Sequence, residues 1–158
     1  MAINPVDQKV LKTAFQLSNV ANEPLNSEAV RSKVGISEDE FYDSLEIMER
    51  DGLIERSREI ARRPPWFFLR SRGVLELLEQ NGQRAAIQTA VENAIIAKPD
   101  STLSDIAATI GQRPLIVEAI VETLENQGDI DVQRGLGAEL QIRHVHASLR
   151  RRGQKPAK

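Results

Sequence analysis

The sequence predicts an α+β fold, mainly helical with small β-hairpins, in which one compact unit occurs twice in succession. Three observations support this prediction. Apolar residues keep helical spacing in two stretches, glycines end the helices that carry them, and both patterns return after an offset of 76 residues. With 158 residues, the chain is long enough for two compact units of about 70 to 80 residues each.

The repeat aligns the residues before Gly52 with those before Gly128. Gly35 falls on Gly111, and the apolar register agrees throughout. The aligned apolar pairs are Val30 with Ile106, Val34 with Ile110, Phe41 with Val117, Leu45 with Val121, Met48 with Leu124 and Ile54 with Ile130. Because glycines and apolar residues match together, we expect a structural duplication, with domain 1 over residues 1–80, domain 2 over residues 81–145 and a basic, disordered tail over residues 146–158.

Each element of the first unit has a local signal. Asn26 is an N-cap candidate, because its side-chain oxygen can accept from the unpaired N–H groups of a first helical turn, and Gly35 ends the short helix that follows. Ser37 and Glu40 have the spacing of a capping box, and Gly52 ends their helix. The predicted elements are helix 6–17, helix 27–33, a helix between 37 and 52, strand 53–60, a proline-containing hairpin tip at 62–65, strand 66–70 and helix 72–80.

The second unit repeats this order. Thr102 is its N-cap candidate, Gly111 and Gly128 end its two central helices, and Pro114 occupies a first helical position, where a missing N–H costs nothing. The predicted elements are helix 83–97, helix 103–109, a helix between 114 and 128, and strands 129–133 and 139–145 around a glycine-containing turn. Each unit is thus expected to have three helices followed by a two-stranded ribbon.

Two segments of the first unit resemble winged helix-turn-helix proteins. Residues 45–56, which include Gly52-Leu53-Ile54, look like the passage from the recognition helix into the wing of winged-helix transcription regulators. Residues 63–73, with an Arg-Pro turn, paired aromatics and then a glycine, are similar to the wing and returning strand of the PadR and MarR types. The resemblance implies two tandem winged-helix domains, with small β-hairpin wings, in a DNA-binding regulatory protein that forms a dimer.

Tandem winged helices also resemble the kleisin-associated subunit of bacterial condensin and subunits of endosomal-sorting and transcription-initiation complexes. Several of those modules bind protein rather than DNA, and a fold by itself does not decide function. A protein–protein adapter without DNA contact is therefore the alternative interpretation.

The charge distribution bears on both interpretations. Net charge is −2, so a general basic field is absent. The helix expected to enter the major groove has one basic residue, Arg50, and seven acids: Glu38, Asp39, Glu40, Asp43, Glu46, Glu49 and Asp51. Acids facing a phosphate polyanion are repelled, which argues against ordinary major-groove reading.

The ribbon that follows has the opposite charge. Its nucleic-acid-binding candidates are Arg56, Arg58, Arg62, Arg63, Arg70 and Arg72. Arginines on a hairpin can enter a minor groove or bind phosphates, and Trp66 is a candidate stacking surface. The same arginines could instead pair with the acidic helix, within one chain or across a dimer, and the sequence leaves both interpretations open.

In the second unit, a further apolar group suggests a protein interface. Leu115, Ile116 and Ile120 lie beside the predicted core stripe of that unit's third helix, which would be apolar on more than one face. Such a face packs against the first unit or a second subunit, or binds a partner.

Composition argues against an enzyme. The chain has no cysteine, and its two histidines, His144 and His146, lack evident further metal ligands. We expect no catalytic residues, no cofactor and no metal. The N-terminal residues lack the apolar stretch of a signal peptide and no run is long enough for a membrane span, so a cytoplasmic location is expected.

Overall fold

The computed structural model describes residues 3–20, 23–57, 63–134 and 140–154. The chain divides into two compact units, Met1–Leu78 and Glu79–Lys158. The predicted boundary after residue 80 lies two residues further along, at the end of a helix. Each unit is mainly helical and contains a small antiparallel β-hairpin, which confirms the predicted α+β class.

The described residues of unit 1 form four helices and three strands. In chain order they are α1 (Pro5–Leu17), β1 (Leu25–Asn26), α2 (Ser27–Val34), α3 (Glu38–Arg50), β2 (Ile54–Arg56), β3 (Trp66–Leu69) and α4 (Ser71–Gln80). The sheet order is β1-β3-β2, and both pairs are antiparallel. The β2–β3 hairpin is called the wing below. Of the strand predicted over 53–60, residues 54–56 form β2, while residues 58–60 lie outside the described part of the chain.

Local capping sets the helix-turn-helix pair of unit 1. The Asn26 side chain accepts from the backbone N–H of Ala29 at 2.9 Å, and Gly35 ends α2 in the left-handed conformation with φ 78°. An L-residue with a Cβ is strained at this φ, which explains the glycine. The Ser37 side chain then caps α3 by accepting from the Glu40 N–H at 3.2 Å. The predicted caps at Asn26, Gly35 and Ser37 are confirmed, whereas the predicted capping box is formed only in part, because the Glu40 carboxylate accepts from the Ser37 hydroxyl.

The core of unit 1 lies between the helices and one face of the sheet. Phe41, Leu45 and Met48 of α3 are fully or almost fully buried, as the helical spacing predicts. On β3 only Phe67 and Leu69 are buried, whereas Trp66 is exposed and Phe68 is partly exposed. Because successive side chains of a strand point to opposite faces, β3 separates an inner face from an outer one.

Unit 2 has a similar order of elements. They are α5 (Arg84–Ala97), α6 (Leu103–Ile110), α7 (Pro114–Asn126), β4 (Ile130–Gln133), β5 (Gln141–Val145) and α8 (Ala147–Gln154). An isolated bridge between Thr102 and Gln141 stands where unit 1 has β1. Thr102 and Asp105 form a complete capping box at the start of α6. Shared element order agrees with the predicted duplication, which itself stays a prediction.

The C-terminal region corrects the predicted disordered tail over 146–158. Residues 147–154 form helix α8, whose Leu149 is fully buried. Arg152 reaches Glu92 of α5 at 2.9 Å and Asp129 at 2.7 Å. The basic composition suggested a solvated tail, but a short helix docks here through one buried apolar residue and one arginine that pairs with the buried Asp129 and the partly buried Glu92. Residues 155–158 lie outside the described part of the chain.

In the described residues, no helix is long and apolar enough to cross a membrane.

Candidate nucleic-acid interface

The outward side of α3 is acidic, as the sequence predicts. Five carboxylates are exposed there, and they are called the acidic face below: Glu38, Asp39, Glu40, Asp43 and Glu46. The first three lie in the first turn, where negative charge complements the helix dipole. Asp43 and Glu46 lie further along and have no such role. Phosphate groups approaching α3 would therefore meet like charge across its length.

Ile47 interrupts this acidic surface. Its side chain is 40% exposed, and it lines a shallow open groove together with Asp43, Glu46 and Arg50. A single exposed apolar residue is ordinary on a protein surface. Its position in the second half of the helix that would normally enter DNA is more informative, because an isoleucine forms no hydrogen bond with a phosphate or a base edge and can only make an apolar contact with a thymine methyl.

Arg63 of the wing pairs with the start of α3. One terminal nitrogen of its guanidinium lies 2.8 Å from Glu38 Oε2, and the other donates to Asp39. The guanidinium carbon also stands 5.6 Å from the centre of the Tyr42 ring, within cation–π range. The Arg63 side chain is nevertheless 49% exposed. Ion pairs this exposed contribute about 0–1 kcal/mol, so other anions can compete for the arginine.

Arg56 pairs with the end of α3. Its guanidinium lies 3.0 Å from Glu49 Oε1, and its backbone N–H donates to Glu49 Oε2 at 2.9 Å. The side-chain hydrogen bond from Arg56 is the main reason that the pKa of Glu49 is lowered. Arg56 is 26% exposed, so it is the least accessible of the described wing arginines. It joins the wing to α3 and is poorly placed to bind a ligand.

Arg70 and Arg72 follow β3. Arg70 lies 3.3 Å from Glu55 of the neighbouring strand and is 55% exposed. Arg72 is exposed, packs beside Gly52, and forms no ion pair within the described residues. Arg58 and Arg62, also predicted as nucleic-acid-binding residues, lie outside the described part of the chain. Of the four described candidates, Arg56 and Arg63 thus pair with α3, as the alternative interpretation of the charges anticipated, and Arg70 pairs with an acid of its own hairpin.

Aromatic side chains lie on the outer face of the unit 1 sheet. Trp66 is 42% exposed, and Phe68 lies two residues further along the same strand, so both side chains project from that face. Arg70 continues the alternation just beyond the strand. The sequence pointed to Trp66 but not to Phe68, because a Trp-Phe-Phe run does not reveal which ring is buried until the register is known. The residues that could have indicated this register are the prolines at 64 and 65, which mark the start of the strand, and the apolar Leu69, which marks its buried face.

Unit 2 has a weaker version of the wing. Arg134 binds Glu125 of α7 through both terminal nitrogens, at 3.0 and 3.1 Å. Glu118 lies on the same helix, and its pKa is raised by burial and by the nearby Glu122. Acids again dominate the second helix of the pair. β4 and β5 carry no Phe, Tyr or Trp, and the exposed ring on β5 is the imidazole of His144.

The proposed apolar interface of unit 2 is corrected. Leu115 is 2% exposed, Ile116 is 5% exposed and Ile120 is fully buried. Helix α7 is apolar on more than one face because it is packed on more than one face. These three side chains therefore belong to the core and offer no surface to a partner.

His144 and His146 lie close together, with ring centres 4.6 Å apart. His146 Nε2 lies 3.2 Å from Asp131 Oδ2. Within the described ranges, no group of three or more His, Asp or Glu side chains is arranged to hold a metal ion.

Comparisons with known proteins add little to this geometry. No protein-family model matches the chain, and no curated protein matches it. Among solved structures, the chain is similar to the mRNA-binding domain of elongation factor SelB from E. coli, solved in complex with SECIS RNA. Sequence identity is 15%, the match covers 90% of this chain and 100% of that one, and the TM-score is 0.36. A TM-score this low does not bear on function, so the description as a winged-helix-like protein rests on the order of elements in each unit.

Proposed function

We propose that this chain is a non-enzymatic nucleic-acid-binding protein that uses the wing and the outer sheet face of unit 1. The observation that carries the proposal is the alternation of Trp66, Phe68 and Arg70 along one exposed face, with Arg63 at the wing end of the same strand. Proteins that bind nucleic acid with little sequence preference use two kinds of side chain: aromatic rings that stack on bases, and cations that bind phosphates.

The acidic face makes this mode of binding different from ordinary winged-helix recognition. With α3 repelled by phosphates, the nucleic acid has to approach from the sheet side. The ion pairs of Arg63 and Arg70 do not prevent this, because both side chains are about half exposed and such pairs are weak. In the finer form suggested by the PadR and MarR resemblance, the ligand is DNA, the protein is a homodimer and the role is transcription regulation.

Binding to labelled oligonucleotides, followed by fluorescence anisotropy at 50 and 200 mM salt, tests the proposal. The variant Arg63→Ala/Arg70→Ala should bind about tenfold more weakly at low salt and show a salt slope smaller by about 1.5, since two phosphate contacts are lost. The matched control is Lys12→Ala/Lys98→Ala, which removes two exposed cations elsewhere. Equal losses in both variants, or no binding by the wild type, would refute the proposal.

A protein–protein adapter is the second candidate, and the exposed Ile47 within the acidic face favours it. A basic partner with an apolar contact residue would match this surface. If the protein is an adapter, the complex with its partner should be lost in Ile47→Glu. It should be kept in the control variant Leu17→Glu, because Leu17 lies on α1 and is similarly exposed, at 38%. Chemical cross-linking in cell extract, followed by mass spectrometry of both variants, distinguishes the two candidates when combined with the binding series.

A further inference from the structure

The outer face of the unit 1 sheet has a geometry that favours unpaired bases over a duplex. β3 is the central strand, with β1 on one side and β2 on the other. Trp66 lies opposite Asn26 of β1, and Phe68 lies opposite Glu55 of β2. Both rings therefore lie on the central strand, Trp66 beside β1 and Phe68 beside β2.

The spacing of the rings fits successive nucleotides. Side chains two residues apart on a strand are separated by about 7 Å. Two bases splayed from one strand can each stack on one ring at that separation, whereas the faces of paired bases are covered inside a duplex. The Asn26 side chain, which lies opposite Trp66, caps α2 and therefore does not cover the tryptophan ring.

A cation lies at one end of the aromatic pair. Arg70 follows β3 and pairs with Glu55, which lies opposite Phe68, so a backbone running along the strand meets a cation beyond the rings. The guanidinium of Arg63 lies instead against Glu38, Asp39 and Tyr42 of α3, the helix that packs on the inner face. The one acid opposite the rings is Glu55, which is 43% exposed and pairs with Arg70. This arrangement of two rings followed by a cation is complementary to two successive bases and an adjoining phosphate.

From this arrangement we infer that the outer sheet face of unit 1 binds single-stranded nucleic acid, with one base stacked on Trp66 and its neighbour on Phe68. The inference rests on the proposed function and narrows its ligand to unpaired strands. Selectivity comes from stacking, so it tolerates many sequences. DNA and RNA single strands share this chemistry and are separated by the test below.

The single tryptophan of the chain provides a direct test. Tryptophan fluorescence of the full chain is titrated with oligo(dT) and oligo(U) of 12 nucleotides and with a 12-base-pair duplex. We expect quenching by a single strand, because a stacked base contacts the ring of Trp66, and weaker quenching by the duplex. A stronger response to oligo(U) than to oligo(dT) would identify RNA as the preferred strand, and the reverse would identify DNA.

Substitutions separate stacking from charge. Trp66→Ala should weaken binding of labelled single strands by about five- to 150-fold, the range that corresponds to the loss of one stacked base, whereas Trp66→Phe should keep most of the affinity. Glu55→Gln should strengthen binding, since it releases Arg70 and removes the acid opposite Phe68. Circular dichroism of Trp66→Ala verifies that the exposed substitution leaves the fold intact.

The outcomes separate the inference from the proposed function. Binding of the duplex with equal or higher affinity than single strands, or unchanged single-strand affinity in Trp66→Ala, overturns the inference and leaves nucleic-acid binding in place. Failure of every oligonucleotide to bind at 50 mM salt overturns both.

Discussion

Arg152 of α8 donates to both carboxylate oxygens of Asp129, at 3.1 Å to Oδ1 and 2.7 Å to Oδ2. Asp129 precedes β4 and is only 2% exposed, so its charge is removed from water and has to be matched within the protein. Ser148 donates a further hydrogen bond to Oδ1 at 2.7 Å. This relationship explains why a strongly basic segment forms a helix on unit 2 instead of remaining solvated.

Arg152→Ala should destabilise unit 2. It leaves Asp129 buried with the Ser148 hydroxyl but without its charged donor, and it breaks the pair with Glu92. Because the arginine side chain is itself 41% exposed, we expect a loss of about 1–3 kcal/mol in the free energy of unfolding. Urea denaturation followed by circular dichroism measures it. Arg151→Ala, an exposed neighbour on α8, should change it by less than about 0.5 kcal/mol.

The same pair predicts how stability depends on pH. The hydrogen bonds from Arg152, followed by those from Ser148, keep the pKa of Asp129 below its usual value. The stabilisation is therefore complete above about pH 5, where an unfolded aspartate, with a pKa of about 3.9, is also ionised. It is lost as the pH falls through the lowered pKa of the folded state. Urea midpoints between pH 5 and 2.5 should fall more steeply in the wild type than in Asp129→Asn, and parallel curves would contradict this account.

Much of the fold could be predicted because its signals are local. The N-cap at Asn26, the left-handed Gly35 and the apolar stripe of α3 each depend on neighbours within a turn of helix. What could not be predicted depends on distant partners. The two-residue strand β1 has no periodicity of its own and exists through pairing with β3, and α8 is stabilised by Asp129 and Glu92, which lie far away in sequence.

The candidate site, too, could be predicted only where it depends on residues close together in the sequence. The sequence revealed that arginines crowd the wing and acids crowd α3, and it anticipated that the two sets could pair. It could not say which arginines remain accessible, because that depends on the distance of each guanidinium from the helix. Likewise, Leu115 and Ile116 look like surface residues when only α7 is considered, and their burial becomes evident only with the packed structure.

Gly73 should tolerate no side chain. A Cβ at this position would lie 2.5 Å from the carbonyl oxygen of Leu53 and 2.9 Å from a methyl group of Leu69, so α4 approaches the sheet through the missing Cβ. In an unobstructed helix, alanine is favoured over glycine by about 1 kcal/mol. We expect the clash to prevail and Gly73→Ala to destabilise the protein by about 1–3 kcal/mol. Thermal unfolding of Gly73→Ala and the wild type measures which effect is larger. A higher midpoint in the variant would contradict the close approach of α4 to the sheet.

Ser44→Ala should destabilise unit 1. The Ser44 hydroxyl on α3 donates to Asp7 Oδ1 of α1 at 2.5 Å, and both residues are buried. Without this donor a buried carboxylate loses a hydrogen bond, which costs about 1–3 kcal/mol. Urea denaturation measures the loss, and Ser32→Ala, an exposed serine on α2, serves as the control. Equal stabilities of the two variants would show that the pair does not hold α1 against α3.

Neutralising the start of α3 should strengthen nucleic-acid binding. Glu38 and Asp39 occupy the guanidinium of Arg63 and also repel phosphates that approach the wing. In Glu38→Gln/Asp39→Asn the arginine becomes available, and we expect the affinity for labelled oligonucleotides to rise about three- to tenfold at 50 mM salt. This range corresponds to about 0.7–1.4 kcal/mol, as expected for two exposed ion pairs.

The control is Glu79→Gln/Asp100→Asn, which changes net charge equally at exposed positions outside the acidic face. A gain of the same size in the control would indicate a general charge effect, and an unchanged affinity in the α3 variant would show that Arg63 takes no part in binding. The gain should also shrink at 200 mM salt, because screening weakens both the competing ion pairs and the repulsion. Loss of the first-turn carboxylates should cost the helix about 0.3–1 kcal/mol per charge through its dipole, so the stronger binding should accompany slightly lower stability.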